Sequence, residues 1–137
     1  MGLRQLLYMS ELARPFESSL LEDIKAASGR NNERWQVSGC LLYSKGHFLQ
    51  LLEGPEESVE RLFGIISADG RHARVRVLHD VPIKERLFDG WEMRTYNLES
   101  RSDLPQEFID RVLDWIERHE SNPLFLFRIL DDFRNYL

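Results

Sequence analysis

Apolar and polar positions are patterned most sharply over residues 38–55, SGCLLYSKGHFLQLLEGP, which predicts two strands joined by a tight turn at Ser44, Lys45 and Gly46. The glycine stands where such a hairpin needs a positive φ. On the second strand Phe48, Gln50 and Leu52 point one way and Leu49 and Leu51 the other. Both faces are apolar, so the strand is expected to be covered on both sides. Gln50 is the one strongly polar side chain between Phe48 and Leu52. A buried primary amide must find partners for its donors and its acceptor, or cost about 1–3 kcal/mol per unmet group. Gln50 is therefore either a structural clip or the contact of a polar ligand, and the pattern leaves both open.

The same periodicities order the rest of the chain. Residues 3–9 (LRQLLYM) predict a strand with Leu6 and Tyr8 on the face of Arg4, and Leu3, Gln5, Leu7 and Met9 on the other; residues 10–15 are expected to break it. A helix is predicted over about 17–29, with Leu20, Leu21, Ile24 and Ala27 at three- and four-residue steps, Gly29 as its stop, and Arg30, Asn31 and Asn32 as its exit. After the hairpin, Gly54–Pro55–Glu56–Glu57 opens a second helix with the stripe Val59, Leu62, Phe63 and Ile66, closed by Asp69–Gly70. Residues 73–81 alternate as a strand, with Val75, Val77 and His79 on one side and Arg74 and Arg76 on the other; Pro82 closes it. Residues 90–96 (GWEMRTY) form a last short strand with Trp91 and Met93 on one face. Two helices follow. Residues 105–119 carry Phe108, Val112, Trp115 and Ile116; residues 124–137 carry Leu126, Phe127, Leu130, Phe133 and Leu137.

The order β-α-β-β-α-β-β predicts an α+β, ferredoxin-like split β-α-β fold with an added strand and two helices on one sheet face. Leu49 and Leu51 require the other face to be covered, and the two C-terminal helices are expected to cover it.

Composition adds exclusions. The chain has 137 residues, 42% hydrophobic and 30% charged, with net charge −5. That balance suits a soluble globular protein in the cytoplasm, and argues against nucleic-acid binding and docking to an anionic membrane. The single cysteine, Cys40, precludes an internal disulfide and offers no zinc spacing. The four histidines are dispersed without an HxH or HxxxH pair, so no metal is expected. There is no phosphate-binding glycine loop and no nucleophile elbow, and nothing in the motifs requires an enzyme. A small ferredoxin-like hydrolase of the acylphosphatase type would need an anion-binding loop after the first strand; residues 10–15 offer only Arg14. A ligand-free interaction module is the other alternative.

What remains is a set of polar side chains at interior or helix-end positions: Tyr8, Asn31, Asn32 and Gln50. The first and third strands of a split β-α-β sheet are neighbours, so Tyr8 and Gln50 are expected side by side. Together with Asn32 they would suit the edge of a flat heterocycle.

Over residues 1–98, followed by a two-helix segment 99–137, the chain resembles the BLUF family of blue-light sensors using flavin. The resemblance rests on Tyr8 in LLYMS, Ile24, Ser28, Asn31 and Asn32, Gly39 in VSGCLLY, Phe48 and Gln50 in GHFLQLLEGP, Ile66, Asp69, Arg71 and His72 in IISADGRHARV, and Trp91 and Met93 in GWEMRTY. It implies a non-covalent flavin, FAD with FMN or riboflavin as alternatives, between the two sheet-facing helices. Ile24 and Ile66 would clamp it, and Asn32 and Gln50 would meet its polar edge. Phe48 would pack nearby, Ser28 would be among the cofactor-binding residues, and Asn31, Asp69, Arg71 and His72 would lie towards the ribityl and phosphate end, with Lys25 and Arg30 as further phosphate contacts. It implies a photoreceptor rather than an enzyme, using proton-coupled electron transfer from Tyr8 through Gln50. Trp91 and Met93 on the last strand would carry the signal to a separate partner protein or a homo-oligomer. Trp115, Phe108, Phe125 and Phe127 would serve that interface or the core.

Overall fold

The computed structural model describes residues 2–13, 15–17, 19–88, 93–100, 104–118 and 123–137, with side chains for these except at 25, 27–32, 93 and 123–127. Among the described residues the chain runs β1 (Leu3–Leu12), α1 (Leu20–Trp35), β2 (Ser38–Ser44), β3 (His47–Pro55), α2 (Glu56–Ala68), β4 (His72–Ile83), β5 (Met93–Asn97), α3 (Gln106–Arg118) and α4 (Pro123–Tyr136). The sheet order is β4-β1-β3-β2-β5. β1 is antiparallel to both β3 and β4, β2 is antiparallel to β3, and β5 joins the β2 edge in parallel. This is the expected α+β, ferredoxin-like plan. The hairpin turn takes φ of 46° at Lys45 and 80° at Gly46, the paired positive values of a two-residue connection.

The central strand β3 has two apolar faces, and each meets a different cover. Leu6, Tyr8, Leu41, Phe48 and Leu52 pack with Leu20 and Ile24 of α1 and Val59 and Leu62 of α2. Leu7, Cys40, Leu42, Leu49 and Leu51 pack with Phe108, Val112, Trp115 and Ile116 of α3 and Ile129 and Phe133 of α4. Phe108 and Trp115 are thus core side chains of this chain, 0% and 1% exposed, each worth about 1.5–3 kcal/mol of apolar burial. Phe125 and Phe127 lie outside the described side chains.

Four expectations need correction. Gly29 does not end α1, and Arg30, Asn31 and Asn32 belong to the helix rather than to an exit loop. One interior glycine costs a helix about 1 kcal/mol, too little to stop it; the stop is Gln36, whose φ of 58° leaves the helical region. β1 continues through Ser10 and Glu11 to Leu12, because β3 and β4 flank it there and pair with it. Pro82 does not close β4. It lies within the strand opposite Arg4, on the sheet edge where a missing N–H is tolerated. Finally, Val75 and His79 do not share a face. The register with β1 slips between Leu7 and Tyr8, where Val77 faces Tyr8 and His79 faces Leu7. The extra residue, Leu78, reverses the alternation: Val75 packs towards Tyr8, whereas His79 reaches Gln5 on the opposite face.

Candidate functional site

Even-numbered positions of β1 face α1 and α2, and Tyr8 is the large buried polar residue among them. It is wholly buried, and its register partner on β3 is Gln50, itself 3% exposed. The Tyr8 hydroxyl donates to Gln50 Oε1. With the carbonyl end of the amide turned to the phenol, Nε2 is its donor end. Phe63 of α2 meets the Tyr8 ring edge-on, with centroids 5.2 Å apart. Ile24 of α1 is buried in the same cluster and Ile66 of α2 is partly buried against it. Burial, with the negative charge of Asp69 adding to it, holds the Tyr8 phenol far above its ordinary pKa, so it is a neutral proton donor across the physiological range.

A second polar group sits where α2 runs into β4. Asp69 caps the C-terminus of α2 and takes both Nε (3.0 Å) and Nη2 (2.6 Å) of Arg71 on Oδ2; the Arg71 backbone N–H donates to Oδ1 at 2.9 Å. The guanidinium beside it holds the Asp69 carboxyl below the usual range. Next in sequence, His72 lies 2.8 Å by Nδ1 from Ser10 Oγ, and its ring packs on Phe48 at 4.9 Å between centroids. Burial pulls the His72 pKa below its ordinary value, partly opposed by Asp69. Phe48 also packs on Tyr43 at 5.3 Å, and Tyr43 is stacked by Phe16 at 4.6 Å.

The expected set therefore divides. Tyr8 and Gln50 are directly bonded, Ile24 and Ile66 border the same cluster, and Phe48 and His72 touch each other. Lys25, Ser28, Asn31 and Asn32 lie on α1, but their side chains, like that of Met93, are outside the described set, as is Trp91 altogether. Ser10, Phe63 and Tyr43 were not anticipated. Ser10 follows Tyr8 by two positions on the same face, a signal hidden by placing the strand end at Met9. Cys40 is buried beneath α3 and α4, and burial pushes its thiol pKa up, so it behaves as a small core residue. Two cavities of about 480 and 490 Å³ open around Gly2, Glu56, Trp35 and Asp80, away from Tyr8 and Gln50. Among the described residues, no three His, Cys, Asp or Glu gather as a metal site, and no helix is long and apolar enough to cross a membrane.

Comparison with known proteins converges on one family. A family model for BLUF, sensors of blue-light using FAD, matches residues 3–94. Photoactivated adenylate cyclase subunit alpha of Euglena gracilis is 33% identical over 133 residues, which is 96% of this chain. The blue light- and temperature-regulated antirepressor BluF of Escherichia coli K12 is 33% identical over 111 residues, 80% of this chain and 28% of its own length. The chain spans 12% of the length of the cyclase subunits it matches. Among solved structures, the dark state of the BLUF protein BlrB superposes with a TM-score of 0.81 at 29% identity, covering 98% of this chain and 96% of that one. A bacterial light-regulated adenylyl cyclase gives 0.77 at 33% identity, over 85% of this chain and 34% of that one.

Proposed function

This chain belongs to the BLUF family of blue-light sensors that use flavin, and from that premise we propose that Tyr8 and Gln50 are its photochemical pair. The observation that carries the reading is the buried hydrogen bond from the Tyr8 hydroxyl to Gln50 Oε1. The surroundings fit a flavin: an amide with a donor end, a phenol behind it, and aliphatic or aromatic walls from Ile24, Phe63 and Ile66. A bound flavin supplies absorption of blue light and, when excited, a strong oxidant. We assign Ile24 and Ile66 to its faces, Asn32 and Gln50 to its polar edge, and Lys25, Ser28, Asn31, Phe48, Asp69, Arg71 and His72 to the remainder. FAD is the favoured form, with FMN or riboflavin the alternatives.

The chain's own residues then handle a proton. Tyr8 holds its proton firmly while neutral, because a buried phenolate is costly. A phenol that has lost an electron is a strong acid, and its proton passes along the existing hydrogen bond to Gln50 Oε1. When the electron returns, the proton does too, and Tyr8 is regenerated. Gln50 need not regain its first state, because an amide can rotate or tautomerise and exchange its donor and acceptor ends. A light-driven change in one buried amide is the local event; a two-state element must read it out. We assign that role to β5 with Trp91 and Met93, to the cap and output segment 99–137, and to a separate cytoplasmic partner or a second copy. The chain itself performs no catalytic turnover in this reading.

The test is one absorption spectrum before and after blue light on protein purified with its chromophore or reconstituted with FAD. A yellow protein whose spectrum shifts reversibly to the red is expected. A chain that refuses flavin, or binds it without a shift, overturns the reading.

A further inference from the structure

Glu53 is a carboxylate at the end of β3 that the photochemistry above does not use, and it is 0% exposed. Its ring of donors is complete. Gln5 Nε2 donates to Oε2 at 2.8 Å, the Leu87 N–H straddles both oxygens at 3.0 Å, and the Phe88 N–H donates to Oε1 at 3.0 Å. His79 Nε2 stands 2.8 Å from Gln5 Oε1, so the network reaches β4 as well. Arg86 adds donors to the Glu53 carbonyl and Ser38 Oγ, both at 2.9 Å, and to the Gln36 carbonyl at 2.7 Å. Residues 86–88 are thus fastened to the end of the strand that carries Gln50, immediately ahead of the approach to β5.

The chain of contacts continues. The Phe88 ring, fastened through its backbone to Glu53, lies in the core under α3 and α4, and the Arg94 guanidinium of β5 stands 5.3 Å over it. Arg94 also donates to the Leu137 carbonyl, just beyond α4. From β3 to the end of α4 the order is Glu53, Phe88, Arg94, Leu137, buried at the first two and half-buried at the last two.

We propose that Glu53 is a positioning residue for output, its carboxylate holding Phe88 so that Arg94 transmits the state of β3 to β5 and α4. This rests on the photoreceptor reading above. A carboxylate is the group the position requires, because three donors converge on it; an amide would place its own N–H2 among them.

The test uses the full chain loaded with FAD, wild type beside Glu53→Gln and Arg94→Met. Two quantities are read well below the melting temperature: the red shift under blue light, and the light-minus-dark difference in hydrogen–deuterium exchange over residues 93–97 and α4. Both variants are expected to keep the shift and to lose about threefold or more of the exchange difference, the size seen for coupling mutations. A merely structural Glu53 would lower the melting temperature and leave the ratio of exchange change to red shift at its wild-type value, which would overturn the proposal. So would a wild-type chain that shifts with no exchange change over 93–97, leaving the photoreceptor reading intact. If Glu53→Gln does not fold, Arg94→Met decides by the same ratio. A wild type with no red shift removes the photoreceptor reading and this inference with it.

Discussion

The Tyr8 hydroxyl donates to the Gln50 side-chain carbonyl across two adjacent central strands whose register sets the residues opposite each other. Tyr8→Phe removes that donor and little else. Gln50 Oε1 then loses a buried partner, a loss of about 1–3 kcal/mol. The variant is expected to fold, to bind flavin, and to show no red shift under blue light. A normal photocycle in Tyr8→Phe would exclude the phenol as donor.

Gln50→Leu probes the other end of the bond. Leucine fills the space and joins the apolar cluster of Phe48 and Leu52, but it can neither take a proton nor exchange donor and acceptor ends. The buried Tyr8 hydroxyl is left without its acceptor, so stability is expected to fall by about 1 kcal/mol after the gain in apolar burial. Flavin absorption should persist without the light-driven shift. A variant that still shifts would move the relay to another residue.

Much of this arrangement was legible in the chain, and the reasons for the misses are specific. The two apolar faces of β3 declared both covers, because Leu49 and Leu51 alternate with Phe48 and Gln50 and neither set can meet water. The pairing of Tyr8 with Gln50 followed from topology. The end of α1 did not, because Gly29 carries the usual stop signal while the helix runs on to Trp35, which packs against the same cluster as Leu20 and Ile24. The face of His79 is not legible in the sequence, because the slip at Leu78 depends on pairing with β1, which no pattern local to β4 contains. The role of Glu53 is hidden in the sequence for a related reason. A buried carboxylate is recognisable only by its donors, and these come from Gln5, Leu87 and Phe88, far away in sequence.

Gly39 offers a test of the sheet rather than of the photochemistry. A Cβ built there would collide with the Leu51 backbone carbonyl on the neighbouring strand. Leu51 is paired in β3 between β1 and β2, so neither strand can retreat without disturbing Gln50 one residue earlier. Gly39→Ala is expected to destabilise the chain by about 3 kcal/mol, the upper end for overpacking, because the obstruction is backbone. Chemical denaturation measures this directly. A loss below about 0.5 kcal/mol, typical of an uncrowded surface position, would show that the strands separate freely there.

His72 and His79 make stability depend on pH in a stated direction. Burial lowers both from the ordinary value of 6.5, against opposing contributions from Asp69 and Asp80 respectively. The folded chain therefore holds the neutral rings more firmly than the unfolded chain does, and the unfolded chain binds more protons just below pH 6.5. Stability from both groups is complete above that value and is lost as pH falls towards and through the lowered folded values. Asp69 and Asp80 are also lowered, from 3.8, by Arg71 and Arg4, so their loss belongs to a separate, more acidic window. The denaturation midpoint is expected to fall between about pH 7.5 and about pH 5.5, the range in which histidine titrates. His79→Gln, which keeps a donor for Gln5, and His72→Gln should each flatten that slope. A wild-type midpoint that does not change across this interval would show that neither ring is held neutral by the fold.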